Sequence, residues 1–131
     1  MRVVFDTNVL ISGFLTSTGV SQSALAAAFK RHTVVLSEFI LEELRRKLTV
    51  KLGVPGKEAE AVSQFLARRA VILKTAPRPK IKFADKKDIP ILSLVETSAP
   101  HYLVTGDKKL LELKKFAQTL ILNPREVLEV L

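Results

Sequence analysis

The sequence predicts an α/β fold in which a parallel sheet is covered on both faces by helices. Short apolar, often β-branched runs alternate with longer segments whose apolar residues recur at helical spacing. Strands separated in this way pair in parallel and are buried on both faces. The chain also has only four aspartates, Asp6, Asp85, Asp88 and Asp107, and they sit at the ends of apolar runs or the starts of helical ones. In such folds strand ends and helix starts share one edge of the sheet, where ligands bind.

The elements follow in order. Residues 2–5 read as a strand and 7–15 as a short helix, with Gly19 ending the loop after it. Ala and Leu at helical spacing make 21–30 a helix, and 33–36 is a second strand. Ser37 is placed to cap a helix running to about residue 52. The Gly53-Val54-Pro55-Gly56 break separates it from a helix over 57–69, followed by a short strand at 71–73. Residues 74–87, with two prolines and six basic residues, read as an extended solvated connection. A helix follows at 88–96, with Pro90 tolerated in its first turn. The remainder is a strand at 101–105, a helical turn at 108–113, a strand at 119–122 and a Pro-initiated helix at 124–131.

A chain of 131 residues suits a single domain, 1–131, with a real core. An apolar share of 47% argues against disorder. The longest apolar runs fall short of a membrane span, and the start leaves no room for a signal peptide. Without cysteine there are neither disulfides nor thiolate metal sites, and a cytoplasmic location is the simplest expectation. Two Asn, three Gln and one Met are few for this length, which leans towards a thermophilic source. The net charge of +8 attracts polyanions, of which nucleic acid is the commonest. Each basic cluster alone (Arg45-Arg46-Lys47, Lys51, Arg68-Arg69, 74–87, Lys108-Lys109, Lys114-Lys115) reads as a solvated helix face. Aromatic residues are too few to suggest a base-stacking platform.

On a helix beginning after Ser37, with Leu36 set to zero, Ile40, Leu44 and Leu48 fall at roughly 40°, 80° and 120°. Glu43 falls at roughly 340°, beside the buried face, and Glu42 near 240°, on the solvent side. A carboxylate at the Glu43 position needs a partner, either a metal ion or a neighbouring basic side chain. Asp88 precedes Ile91, Leu92 and Val95 at i+3, i+4 and i+7 and so faces the core side of its helix start. The plainer reading of Asp88, and of Asp6 and Asp107 taken singly, is an N-cap. Together, in a chain this poor in Asp, they suggest a carboxylate cluster. Two carboxylates about 4 Å apart repel by roughly 4 kcal/mol at an effective dielectric near 20, so several stay ionised only around a cation. Oxygen-only ligation suits Mg²⁺ or Mn²⁺, which promote phosphodiester hydrolysis. His32 and His101 read as surface or strand-edge residues rather than general bases.

Four segments, in order, resemble the motifs of PIN-domain nucleases: MRVVFDTNVLISGFL, LSEFILEEL, DKKDIPILSLVETSAPHYLVTGDKKLLEL and the closing ILNPREVLEVL. The resemblance spans nearly the whole chain. It implies a five-stranded parallel sheet in a three-layer sandwich and an Mg²⁺- or Mn²⁺-dependent endoribonuclease leaving 5′-phosphate and 3′-hydroxyl ends. Many small members are VapC-type toxins of toxin–antitoxin pairs, commonly dimeric, so an antitoxin partner and a homodimer or higher oligomer are expected with the RNA substrate. Carried over by motif, the metal ligands and catalytic acids are Asp6, Glu43, Asp88 and Asp107. Asn8 matches a polar residue supporting Asp6, Thr105 one beside the last acid, and Asp85 an acid in a supporting role. Lys108 is the nearest candidate for RNA contact. Where many relatives carry a further Asp, this chain has Lys109, which leaves one metal ion better supported than two. A receiver domain would need an Asp in mid-chain, and a haloacid-dehalogenase-like phosphatase an Asp where Asn8 stands. A non-catalytic RNA-binding module with a vestigial acidic site is the alternative.

Overall fold

The central strands are made almost wholly of residues that water does not reach. In β1 (Arg2–Phe5), Val3, Val4 and Phe5 are all fully buried. Successive strand residues point to opposite faces, so both faces of β1 are covered. The structure, a computed structural model, describes residues 1–16, 19–74 and 85–131. It forms a three-layer α/β sandwich around one sheet of order β3-β2-β1-β4-β6-β5. The other strands are β2 (Thr33–Ser37), β3 (Val71–Leu73), β4 (Tyr102–Val104), β5 (Lys115–Phe116) and β6 (Thr119–Leu122). All pairings are parallel except β5 with β6. The five expected strands are therefore present, and a sixth, two-residue strand was not foreseen.

The helices are α1 (Thr7–Leu15), α2 (Val20–Arg31), α3 (Glu38–Arg46), α4 (Gly56–Arg69), α5 (Ile89–Ser98), α6 (Lys108–Leu113) and α7 (Pro124–Leu128). Ser37 does cap α3, its Oγ accepting from the Ile40 N–H at 3.1 Å. The helix expected to reach residue 52 instead widens into a π turn over Lys47–Lys51, closed by the Leu52 N–H to the Lys47 carbonyl. A 3₁₀ turn, Lys86–Asp88, precedes α5 in place of an extended approach; the rest of the connection, 75–84, lies outside the described residues. α7 stops at Leu128 rather than 131, after a capping box between Asn123 and Glu126.

The sheet order has β1 between β2 and β4, with the chain leaving β1 to one side and returning to the other. The carboxyl ends of such neighbours open a crevice between diverging connections. Asp6 ends β1, Glu43 is on the helix after β2, Asp107 follows β4, and Asp88 begins the helix that returns to β4. The histidines lie at the opposite edge: His101 Nδ1 accepts from the Arg2 N–H at 3.0 Å, and His32 Nδ1 is 3.2 Å from the N-terminal amine. Among the described residues no single helix is long and apolar enough to cross a membrane.

Candidate active site

Asp6, Glu43, Asp88 and Asp107 line one cleft of about 730 Å³, with Asn8, Ile11, Phe39, Leu52 and Pro90. Four lysines complete the lining: Lys47, Lys51, Lys86 and Lys87.

Each acid is held differently. Asp6 stands at the N-cap position of α1 yet makes no capping bond through its side chain. Its Oδ2 accepts from the Thr105 hydroxyl at 2.8 Å, and the same oxygen of Thr105 accepts from the Asp107 N–H at 3.0 Å. Thr105, fully buried at the end of β4, thus ties two of the acids together from beneath the cleft. Burial is the main force pushing the Asp6 carboxyl above its ordinary range, and Glu43 adds to it; the Thr105 hydrogen bond and the Lys47 charge pull the other way.

Glu43 is half-buried, as the helix phase indicated, and its Oε1 accepts from the Thr7 hydroxyl at 2.6 Å. Glu42, by contrast, is exposed and paired with Arg45. The alternative of a salt bridge at Glu43 therefore fails among the described residues, where its bonded partner is a neutral hydroxyl. Thr7 is a contributor the sequence reading missed. A threonine opening a helix directly after a strand-end acid was the available signal.

Asp88 is 6% exposed, and its Oδ2 has no hydrogen-bond partner among the described residues. It makes no side-chain cap bond to α5. Capping of that turn falls to Asp85, whose Oδ1 accepts from the Lys87 N–H at 3.2 Å. The Asp88 carboxyl is pushed up to about 6, first by burial and then by the negative charges of Asp107, Asp85 and Asp6. Asp85 is held low, chiefly by the Lys87 N–H, and lies 3.6 Å from the Lys109 ammonium. Asp107 does cap its helix, accepting from the Lys109 N–H at 2.8 Å.

The supporting residues divide. Asn8 is exposed, and its Oδ1 accepts from Lys47 Nζ at 3.5 Å; Thr105, not Asn8, is bonded to Asp6. Lys108 is exposed and outside the cleft lining, where the four other lysines stand instead. The donor set is all oxygen, includes one buried unpartnered oxygen and suits a hard divalent cation. Among the described residues, however, no three acidic or histidine side chains are grouped closely enough to hold an ion as they stand.

A family model described as a PIN domain matches residues 2–109. No curated protein sequence matches the chain. Among solved structures, VapBC2 from Rickettsia felis, bound to a DNA fragment from their promoter, aligns with a TM-score of 0.69 at 17% identity, covering 94% of this chain and 98% of that one. VapC20 from Mycobacterium tuberculosis, a Sarcin-Ricin loop cleaving toxin, aligns with a TM-score of 0.60 at 11% identity, covering 90% and 98%. FitAcB from Neisseria gonorrhoeae aligns with a TM-score of 0.56 at 20% identity, covering 94% and 98%. At these identities the likeness is one of fold.

Proposed function

Because the chain belongs to the PIN-domain family, we propose that residues 1–131 form one domain that acts as a metal-dependent endoribonuclease. One observation carries the reading: Asp88 keeps a buried oxygen unpartnered beside three other acids in one cleft. An uncompensated carboxylate in that place is costly to the fold, and a cation is the partner it lacks.

Asp6, Glu43, Asp88 and Asp107 are the residues that would hold Mg²⁺ or Mn²⁺. When bound, such an ion polarises the phosphoryl oxygen, makes a water more acidic and offsets charge on the departing oxygen. The chain's own part is orientation. Thr105 fixes Asp6 and the backbone of Asp107 relative to each other, and Thr7 fixes Glu43. RNA as substrate is supported by the net charge of +8 and by the described target of the M. tuberculosis neighbour. The toxin role, an antitoxin partner and a homodimer extend the same likeness.

The dispersal of the acids favours a second reading, a non-catalytic RNA-binding module. The two are separated by cleavage of single-stranded RNA in Mn²⁺ by wild type and by Asp6→Asn and Asp107→Asn. The nuclease reading expects each substitution to lower kcat by at least about a hundredfold with the fold intact, since each removes a charged ligand. Cleavage surviving both substitutions overturns the metal mechanism, and RNA binding without any cleavage by wild type establishes the module.

A further inference from the structure

The lysines of the cleft are not spread evenly over the basic surface. Lys47 and Lys51 come from the π turn, and Lys86 and Lys87 from the 3₁₀ turn that Asp85 and Lys109 tie to the β4 side. In a regular α-helix, residue i+5 lies about 140° around the axis from residue i. The i→i+5 bond of a π turn widens the coil so that i+4 and i+5 both return over i. Lys51, which would share a face with Lys47 in either coil, lines the same cleft, and so does Leu52, which only the wider turn brings round.

Lys47 also differs chemically from its neighbours. Arg45, just before it, is engaged by Glu42 and Glu60. Lys109 is engaged by Asp85. Lys47 is half-buried, and its ammonium touches a neutral amide oxygen, that of Asn8, at 3.5 Å. Among the described residues no carboxylate stands within ion-pair distance of it. A long weak bond to a neutral acceptor orients the ammonium without satisfying it, and phosphate oxygens are the stronger acceptor.

We propose that Lys47 is a positioning residue that holds a backbone phosphate of single-stranded RNA against the acidic centre, with Lys51 holding the next phosphate outward. This rests on the preceding reading for the substrate class. At i and i+4 on one turn, both ammonium groups line the cleft, and Lys108, outside that lining, has no such part.

The test is binding of fluorescein-labelled single-stranded RNA of mixed sequence in chelator, across a salt series, so that no cleavage intrudes. Lys47→Gln and Lys51→Gln are each expected to reduce the slope of log K against log salt by about 0.7, the value for one phosphate contact on a single strand. Lys47→Arg keeps the slope, because the charge is kept. Lys57→Gln, on the exposed start of α4, leaves it unchanged. In Mn²⁺, Lys47→Gln is expected to raise KM about tenfold and change kcat far less, the pattern of a lost binding contact. A wild-type slope retained in Lys47→Gln and in Lys51→Gln, whose exposed side chain removes any folding objection, overturns the proposal; so does a lowered melting temperature without a change of slope, which marks a structural counter-ion. RNA binding that depends on Lys47 without cleavage leaves the proposal standing and removes the nuclease reading. Cleavage indifferent to Lys47 does the reverse, and wild type that binds no RNA removes the proposal.

Discussion

Replacing Asp88 by Asn should stabilise the metal-free protein above pH 6 and not below pH 4. The side chain is 6% exposed, one of its oxygens is unpartnered, and its carboxyl is pushed from 3.8 up to about 6. Well below pH 3.8 the group is protonated folded or unfolded, and by about pH 4 ionisation contributes only a small part of the difference. As pH rises the unfolded chain ionises first, near 3.8, whereas the folded chain holds its proton to about 6. Stability therefore falls through that window and stays lower above it. The whole difference corresponds to about 3 kcal/mol, and solvent entering the cleft reduces it to about 2 kcal/mol. With an unfolding entropy of about 2.1 cal/mol/K per residue, 131 residues turn this into a gain of about 7 °C. Thermal melts of both proteins in chelator at pH 4 and pH 7.5 measure it. Asn matches the neutral acid in shape, so the increase in the mutant's advantage between the two pH values isolates ionisation. An equal advantage at both refutes the argument, because packing rather than charge would then be at work. An advantage at neither shows that Asp88 is solvated. Adding Mn²⁺ at pH 7.5 should raise the wild-type melting temperature, since a ligand bound to the folded state alone stabilises it, and should raise that of Asp88→Asn less.

The threonine beneath the cleft and a helix contact far from it give two further outcomes. Thr105→Val removes the bond to Asp6 and the acceptor of the Asp107 N–H; urea unfolding should show a loss of about 1–3 kcal/mol, and Mn²⁺-dependent cleavage should fall about 10–100-fold, whereas unchanged cleavage would deny Thr105 a positioning part. Gly13→Ala would place a Cβ 2.1 Å from Leu25 Cδ1 and 3.2 Å from its Cγ. Overpacking of about 1–3 kcal/mol outweighs the helix-propensity gain of about 1 kcal/mol, so the urea midpoint should drop while cleavage per folded molecule holds; a higher midpoint means that Leu25 yields freely.

What the sequence made legible was what depends on periodicity. The β-branched runs located the five parallel strands, and the 100° advance per residue separated Glu43 from Glu42, as the Thr7 bond on one and the Arg45 pair on the other bear out. What stayed illegible depends on local backbone choices without a residue signature. The chain leaves α6 through Lys114 at φ 62° and turns from β5 into β6 through Ala117 at φ 53°, positive-φ positions where Gly or Asn would have announced a helix end and a hairpin. Strand β5 was missed for that reason. The π turn is equally silent, since nothing in Lys47-Leu48-Thr49-Val50-Lys51 distinguishes it from an α-helical continuation. Which lysines face the cleft depends on how α3 and the turn before α5 pack beside it, and Lys108 was favoured for its place next to Asp107 in sequence.

The four aspartates show why caps and ligands cannot be told apart from sequence. Both uses want a carboxylate at the start of a helix, because the same exposed N–H groups and the same dipole favour negative charge there. Hydrogen bonds divide them. Asp85 and Asp107 accept from the backbone two residues on, as caps do. Asp6 and Asp88 stand at cap positions without a side-chain capping bond, and burial pushes both carboxyls upward. A cap recovers the cost of desolvation through the N–H it satisfies. A buried carboxylate that caps nothing does not, and Asp88 meets three like charges besides. Asp6 and Asp88 are thus the two acids whose charge the fold retains at a cost to its own stability. Asp107, which caps α6 and lines the cleft as well, serves both ends at once. Asp107→Ala, which loses the cap as well as the charge, should therefore lower stability by about 1 kcal/mol and cleavage together, whereas Asp88→Asn should raise stability in chelator while lowering cleavage.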